Sequence, residues 1–367
     1  MSFISTILFP TVFIIMFVAE NLLIYENTDT LRERKNNYNI FIGIILFLTA
    51  ALRHRNTGAD TASYYGMYRA IANGSRNLVF FWNDFVKSIT SNDYEDMIFW
   101  NLNSKLFSYI NKSPQIWLAF IALIFFFAAY KIIKKYSDDP VISWAYLLCV
   151  FVYTFVLKGL RQSVAMSIVI LSVDYIYERK LIRFLLLMAL ATLFHQSAFV
   201  FIIAYPLYKF KLSKIYFAII GISIFMVRIM PSTIVNLWKY FASESRFSNY
   251  LEEKNMQSMS MTGWLVFFAI FVFCYLFKKD TIKNNPKNEF LYTMSMVALV
   301  MQSGAGIIAE MFRISNYFNL FNMILVANVS SSISNEKNRL VIRNALIIAF
   351  IFAFYISGGF PYRFFWE

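Results

Sequence analysis

The stretch LRHRNTGADTASYY at residues 52–65 follows the apolar run NIFIGIILFLTAA, so polar chemistry is concentrated where a hydrophobic segment ends. Arg53 and Arg55 carry planar guanidinium forks, which match phosphate oxygens two at a time. Snorkelling to lipid headgroups is the competing use of an arginine in such a place. Gly58, Asp60 and Thr61 read as a turn, with Thr57 or Asp60 placed to cap a following helix. A carboxylate at Asp60 beside two cations either organises them or accepts hydrogen bonds from sugar hydroxyls. Tyr64 and Tyr65 add hydroxyls and ring faces one turn further on.

Three other clusters carry similar chemistry. In KGLRQSVAMS, a continuous helix would put Lys158, Arg161 and Gln162 on one face, at spacings of three and four; a solvated turn is the plainer reading. In LATLFHQSAF, His195 and Gln196 follow a long apolar helix. A lone membrane histidine is usually a packing residue, yet an imidazole is also the side chain best suited to take a proton near neutrality. In EMFRISNYF, Glu310, Arg313, Asn316 and Tyr317 share a face that looks like the wall of a wet cavity. SNDYEDMIF places Asn92 three residues before Glu95, a capping-box-like start, and its short acidic run does not support a metal site. RFSNY adds Arg246 and Tyr250, a signal of low specificity.

The elements that hold these residues must be membrane helices. Hydrophobic residues make up 59% of the 367-residue chain, aromatic residues 19% and charged residues only 15%, outside the range of soluble domains. Apolar runs are continuous rather than alternating, which excludes a barrel. The net charge of +13 comes from clusters between apolar runs, not from one basic face, so nucleic acid is not the expected partner. Cys149 and Cys274 lie inside apolar runs and imply no disulfide framework; with His54 and His195 they are too few for a usual zinc site. No cleavable signal peptide is read, because the first apolar stretch lacks a basic lead and is long enough to span.

Basic clusters favour the cytoplasmic side. With LRERKNN, KIIKK, ERKLIR and KKDTIKNNPK inside, the chain reads as one transmembrane domain over 1–367, with about 11–12 segments and both termini outside. Outer loops fall at about 53–114 and 231–262. Residues 181–214 are basic at both ends, which calls for a hairpin of two short helices with FHQS at its turn.

In their order along the chain, RHRNTGADTASYY, YEDMIFWNLN, KGLRQSVAMS, LATLFHQSAF and FRISNYF resemble the EpsG family of bacterial polysaccharide-synthesis membrane proteins, related to Wzy-type polymerases of O-antigen, capsule and exopolysaccharide. Arg53, Gly58, Asp60, Thr61, Tyr64, Glu95, Arg161, Gln162, His195, Ser197, Arg313 and Tyr317 match its pattern, with Ala59 in the middle of the Gly-Xaa-Asp turn. The resemblance implies an all-α, GT-C-like glycosyltransferase in the bacterial inner membrane, with its site facing the periplasm or cell exterior. Its substrate would be an undecaprenyl-pyrophosphate-linked oligosaccharide, moved onto the non-reducing end of the next lipid-linked unit. No cofactor and no metal is expected. The partners expected are the lipid bilayer, chain-length regulator proteins and flippase proteins. On this reading Arg53, Arg55, Arg161 and Arg313 hold pyrophosphate, and the acceptor proton goes to His195, ranked first, or to Asp60, with Glu310 behind them. Thr61, Tyr64, Glu95, Lys158, Gln162, Gln196 and Tyr317 line the substrate. A flippase or transporter of the same lipid-linked glycan, or an O-antigen-ligase-type transferase, would use much the same residues.

Overall fold

The computed structural model describes residues 3–25, 30–58, 60–91, 96–150, 152–210, 214–241, 256–356 and 362–367. Helices α1 (Phe3–Glu20), α2 (Leu31–Ala51), α3 (Thr61–Asn73), α4 (Leu78–Thr90), α5 (Asp96–Ser108), α6 (Pro114–Tyr136), α7 (Pro140–Cys149), α8 (Val152–Lys158) and α9 (Leu160–Tyr177) form the first part of the chain. They are followed by α10 (Leu181–Phe194), a 3₁₀ stretch (Gln196–Ile203), α11 (Ala204–Leu207), α12 (Tyr216–Ile229) and α13 (Pro231–Phe241). The remainder is α14 (Met256–Leu276), α15 (Lys278–Asn284), α16 (Asn288–Ser303), α17 (Ala309–Asn319), α18 (Asn322–Ser331) and α19 (Glu336–Ile356). Among the described residues there is no strand, only an isolated antiparallel bridge between Arg53 and Phe364.

The chain is an all-α polytopic membrane protein. Among the described residues three helices are long and apolar enough to cross a bilayer, Leu8–Tyr25, Pro114–Tyr136 and Glu336–Tyr355, or five if each bent pair is one span. One bent pair joins α7 to α8; the other joins Met261–Leu276 to Lys278–Asn284 at 68°. The expected 11–12 apolar runs are therefore not all full-length helices. Leu181–Phe194, Gln196–Leu207 and Tyr216–Ile229 are apolar but short, and about 20 residues are needed to cross a hydrocarbon core of about 30 Å.

The chain forms two compact units. The first comprises Met1–Asp174, Ile182–Phe199 and Arg343–Glu367, the second Tyr175–Leu181 and Val200–Ile342. In the first, α2 opens with a capping box: Thr30 Oγ1 accepts from Glu33 N at 3.3 Å, and Thr30 N donates to Glu33 Oε2 at 3.2 Å. Further along α2, Asn39 joins three helices. Its Nδ2 donates to Tyr130 O at 3.1 Å, and its Oδ1 accepts from Trp144 Nε1 at 2.8 Å. A side-chain amide in an apolar run is thus used up by helix association.

A largely buried ion triad ties the end of α1 and the start of α7 to α19. Arg343 Nη2 meets Glu20 Oε1 at 2.6 Å, and Arg343 Nε meets Asp139 Oδ2 at 2.6 Å. Asp139 Oδ1 also caps α7, accepting from Val141 N at 2.9 Å. Removing the cation leaves two carboxylates without compensation in the interior, a change that typically costs about 3–5 kcal/mol. Thermal unfolding in detergent is expected to show a large drop for Arg343→Met, mostly recovered when Glu20→Met and Asp139→Asn are added. An unchanged midpoint for the single variant would contradict this role.

The FHQS hairpin is present. Arg179 Nη1 donates to Tyr205 O at 3.1 Å, and the rings of Tyr177 and Tyr208 lie 5.5 Å apart. The chain thus leaves at Arg179, runs out along α10 and is back at Tyr205. His195 marks the break between α10 and the 3₁₀ stretch.

In the second unit the buried helices are unusually polar. Asn288, Thr293, Ser295, Gln302, Ser315, Asn316, Asn319, Asn322, Asn328 and Ser330 are all at most 2% exposed. Ser315 Oγ donates to Ala298 O at 2.8 Å, which sets the register of α17 on α16.

Candidate functional site

Three of the polar clusters read from the sequence meet in the first unit. Gly58 has φ +101°, and a Cβ there would lie 2.9 Å from both Leu157 O and Thr61 Oγ1, so the turn needs glycine. That turn docks α3 on the corner between α8 and α9, where Thr61 Oγ1 lies 3.0 Å from Thr57 O and 3.0 Å from Leu157 O. One turn further along α3, Tyr64 OH accepts from Arg161 Nε at 2.9 Å. The bond fixes the plane of the Arg161 guanidinium at the start of α9.

Beneath this pair lies an aromatic cluster. Tyr64 meets Trp100 edge-on at 5.6 Å, Trp100 meets Trp117 at 5.2 Å, and Phe194 lies 6.4 Å from Trp100 and 5.0 Å from Phe99. Leu160 and Val164, the residues flanking Arg161 on α9, belong to the same cluster. Phe194 therefore brings the tip of the FHQS hairpin to the cluster that carries Tyr64. At that tip His195 Nδ1 and Ser197 Oγ are 2.8 Å apart. When Nδ1–H donates to Ser197, Nε2 is the ring nitrogen that accepts a proton.

The opening loop is held from a direction that sequence reasoning missed. Tyr362 OH donates to Thr49 O at 2.6 Å, His54 N to Arg363 O at 2.8 Å, and Phe365 N to Leu52 O at 2.8 Å. Arg363 N also donates to Thr57 Oγ1 at 3.3 Å. On the other flank Gln115 Nε2 donates to Ala51 O at 2.6 Å and Arg53 O at 3.1 Å. The placement of Tyr362, Phe364 and Trp366 at every second position is the pattern of an extended segment, and it was the available signal for this strap. Removing the Tyr362 hydroxyl with Tyr362→Phe is expected to cost about 1–3 kcal/mol, since a buried carbonyl loses a partner. Thermal unfolding in detergent reads the loss; an unaltered midpoint would show that the strap does not tie down the loop.

The other expected site residues are placed as follows. Arg53, expected as an open cation, is 1% exposed and donates through Nη1 to Ala50 O at the end of α2, while its buried Nε has no hydrogen-bond partner. Arg55 and Asp60 are exposed. Asp60 occupies the position before α3 without a side-chain cap, and Thr57 does not cap α3 either, its hydroxyl being spent on the strap. Lys158, Arg161 and Gln162 do not share one helical face, because α8 ends at Lys158 and α9 starts at Leu160, with Gly159 between them. Lys158 is exposed, Arg161 half-buried and Gln162 buried. Gln196 is exposed. Glu95, with Asn92, lies outside the described residues, as do Arg246 and Tyr250. In the second unit Glu310, Arg313 and Tyr317 stand on α17; Glu310 and Tyr317 are buried and Arg313 is half-buried.

The fold and these residues define a helical membrane protein with a fixed guanidinium, an aromatic floor and an imidazole gathered in one unit. A family model described as the EpsG family matches residues 36–363, and the chain belongs to that family. No curated protein and no solved structure matches it. Membership points to a polysaccharide-polymerase type of function, that of a glycosyltransferase-like polymerase acting on lipid-linked substrate in a bilayer.

Proposed function

We propose that the chain is a GT-C-like polysaccharide polymerase. It moves a glycan from undecaprenyl pyrophosphate onto the non-reducing end of another lipid-linked unit, at the outer face of the bacterial inner membrane. The observation that carries this reading is the Arg161–Tyr64 pair standing on the aromatic cluster that reaches Phe194, the chain neighbour of His195.

In the reaction an acceptor hydroxyl attacks the anomeric carbon of the donor glycan. A new carbon–oxygen bond forms, the anomeric bond to pyrophosphate breaks, and the electron pair leaves with the diphosphate. Negative charge grows on that leaving group, and a preoriented guanidinium stabilises it without reorganising. Arg161 supplies this, with the exposed Arg55 as a second cation. Metal independence belongs to the proposal, because guanidinium forks do the work a divalent ion would do. The acceptor proton goes to His195, oriented through its Nδ1 by Ser197. Arg53 serves as a positioning residue within the strapped loop, and Asp60 stands behind His195 as the alternative base.

The carrier reading has one observation in its favour. A bent helix pair and buried asparagines inside the second unit are features of proteins that pass solutes through the bilayer. Purified protein incubated with synthetic pyrophosphate-linked repeat units separates the two. A ladder of lengthened products is the expected result; uptake of unchanged units into liposomes, with no ladder, would replace polymerase by carrier.

A further inference from the structure

Asn316 is 1% exposed, yet neither its Oδ1 nor its Nδ2 has a hydrogen-bond partner. An amide offers two donors and a two-site acceptor, and leaving both atoms unmet forfeits their solvation without return. In the same unit Asn288 has both of its amide atoms met. Asn288 Nδ2 donates to Thr281 O at 3.0 Å, Asn328 Nδ2 donates to Asn288 Oδ1 at 2.9 Å, and Thr281 Oγ1 lies 3.0 Å from Ser332 Oγ. Asn322 Oδ1 in this unit is also unmet, but among the described residues Asn316 is the amide with both atoms unmet.

Its place on α17 shows what it serves. Ser315 is turned to α16, and Phe318 packs on Phe201 with centroids 5.2 Å apart. Asn316 lies about 100° around the helix from Ser315 and about 60° from Arg313, so it shares a ridge with Arg313. Arg313, one turn away, is half-buried, so this ridge runs from a partly open cation to a closed amide. At the end of α16, the buried Gln302 Oε1 is likewise unmet.

We propose that Asn316 is a ligand-binding residue for sugar hydroxyls, with Arg313 on the same ridge holding the anionic part of the molecule. The inference rests on the function proposed above and names the part of the substrate this residue reads. A hydroxyl both donates and accepts, so a pyranose with neighbouring hydroxyls meets Oδ1 and Nδ2 together. A phosphate only accepts and would leave Oδ1 unmet.

The test uses full-length protein in detergent, with thermal unfolding read alone, with inorganic pyrophosphate, and with oligosaccharide released by acid from the cell's own lipid-linked pool. Asn316→Leu removes the amide at similar volume. Without ligand its midpoint is expected to equal or exceed the wild-type value. Its affinity for the oligosaccharide falls at least tenfold, while its response to pyrophosphate is kept. Should Asn316→Leu fail to fold, Asn316→Asp, which keeps an acceptor and loses the donor, is expected to show the same selective loss. Wild-type affinity for the oligosaccharide in the variant that folds, or a lowered midpoint without ligand in Asn316→Leu, makes Asn316 a packing residue and overturns the proposal. A wild-type protein that ignores the oligosaccharide overturns the assigned ligand. One that binds it through Asn316 yet forms no polymer overturns the polymerase reading alone.

Discussion

Replacement of His195 by alanine lowers the rate of glycan transfer by about 10²- to 10⁴-fold, the usual contribution of a positioned general base. The protein level and the thermal midpoint stay close to wild type, because His195 is only partly buried at a break between two helical stretches. The backbone bonds His195 N to Ala191 O and Ala198 N to His195 O, both 3.0 Å, survive the substitution. Ser197→Ala should cost less, since it loosens the ring without removing the proton acceptor. The ranking against Asp60 is open to a direct comparison at equal protein level. Normal polymer output from His195→Ala, together with loss of output from Asp60→Asn, would assign the base to the carboxylate.

Arg161→Gln carries the second large effect. Loss of a preoriented donor to a developing anion costs about 10²- to 10³-fold in turnover. The substitution spares Leu160 and Val164, which hold the start of α9 in the aromatic cluster, so folding should survive. Arg161→Lys is a sharper probe than the neutral variant. Lysine keeps the charge but lacks the planar fork, and it cannot reproduce both the Nε bond to Tyr64 and a two-point grip on phosphate. Lysine is therefore expected to restore only a minor part of the rate. Full rescue by lysine would mean that Arg161 acts as a distant charge rather than as an oriented donor, and Tyr64→Phe would then also be silent.

The elements were legible because membrane helices are written as continuous apolar runs. The turn at Gly58 was legible because a positive φ and a close approach to Leu157 leave glycine little competition. The hairpin at FHQS followed from basic residues at both of its ends. What sequence could not show were contacts between residues far apart in the chain. Glu20, Asp139 and Arg343 each look like an ordinary charge at a helix end, and only the fold joins them. Arg53 read as an open cation because nothing near it in sequence announces a strap more than three hundred residues downstream. The shared face of Lys158 and Arg161 rested on helical spacing, and the break at Gly159 removed it. Asn316 was visible as part of a polar face, but the absence of partners for its amide is a property of packing.

The central claim is a chemical one: a glycan changes carrier, and a diphosphate leaves. It is tested most directly by following purified protein with pyrophosphate-linked repeat units labelled in the lipid and counting both products. One free lipid pyrophosphate released for each new glycosidic bond is the predicted result. Movement of the labelled lipid across a bilayer with its glycan still attached, and no release, would contradict the account.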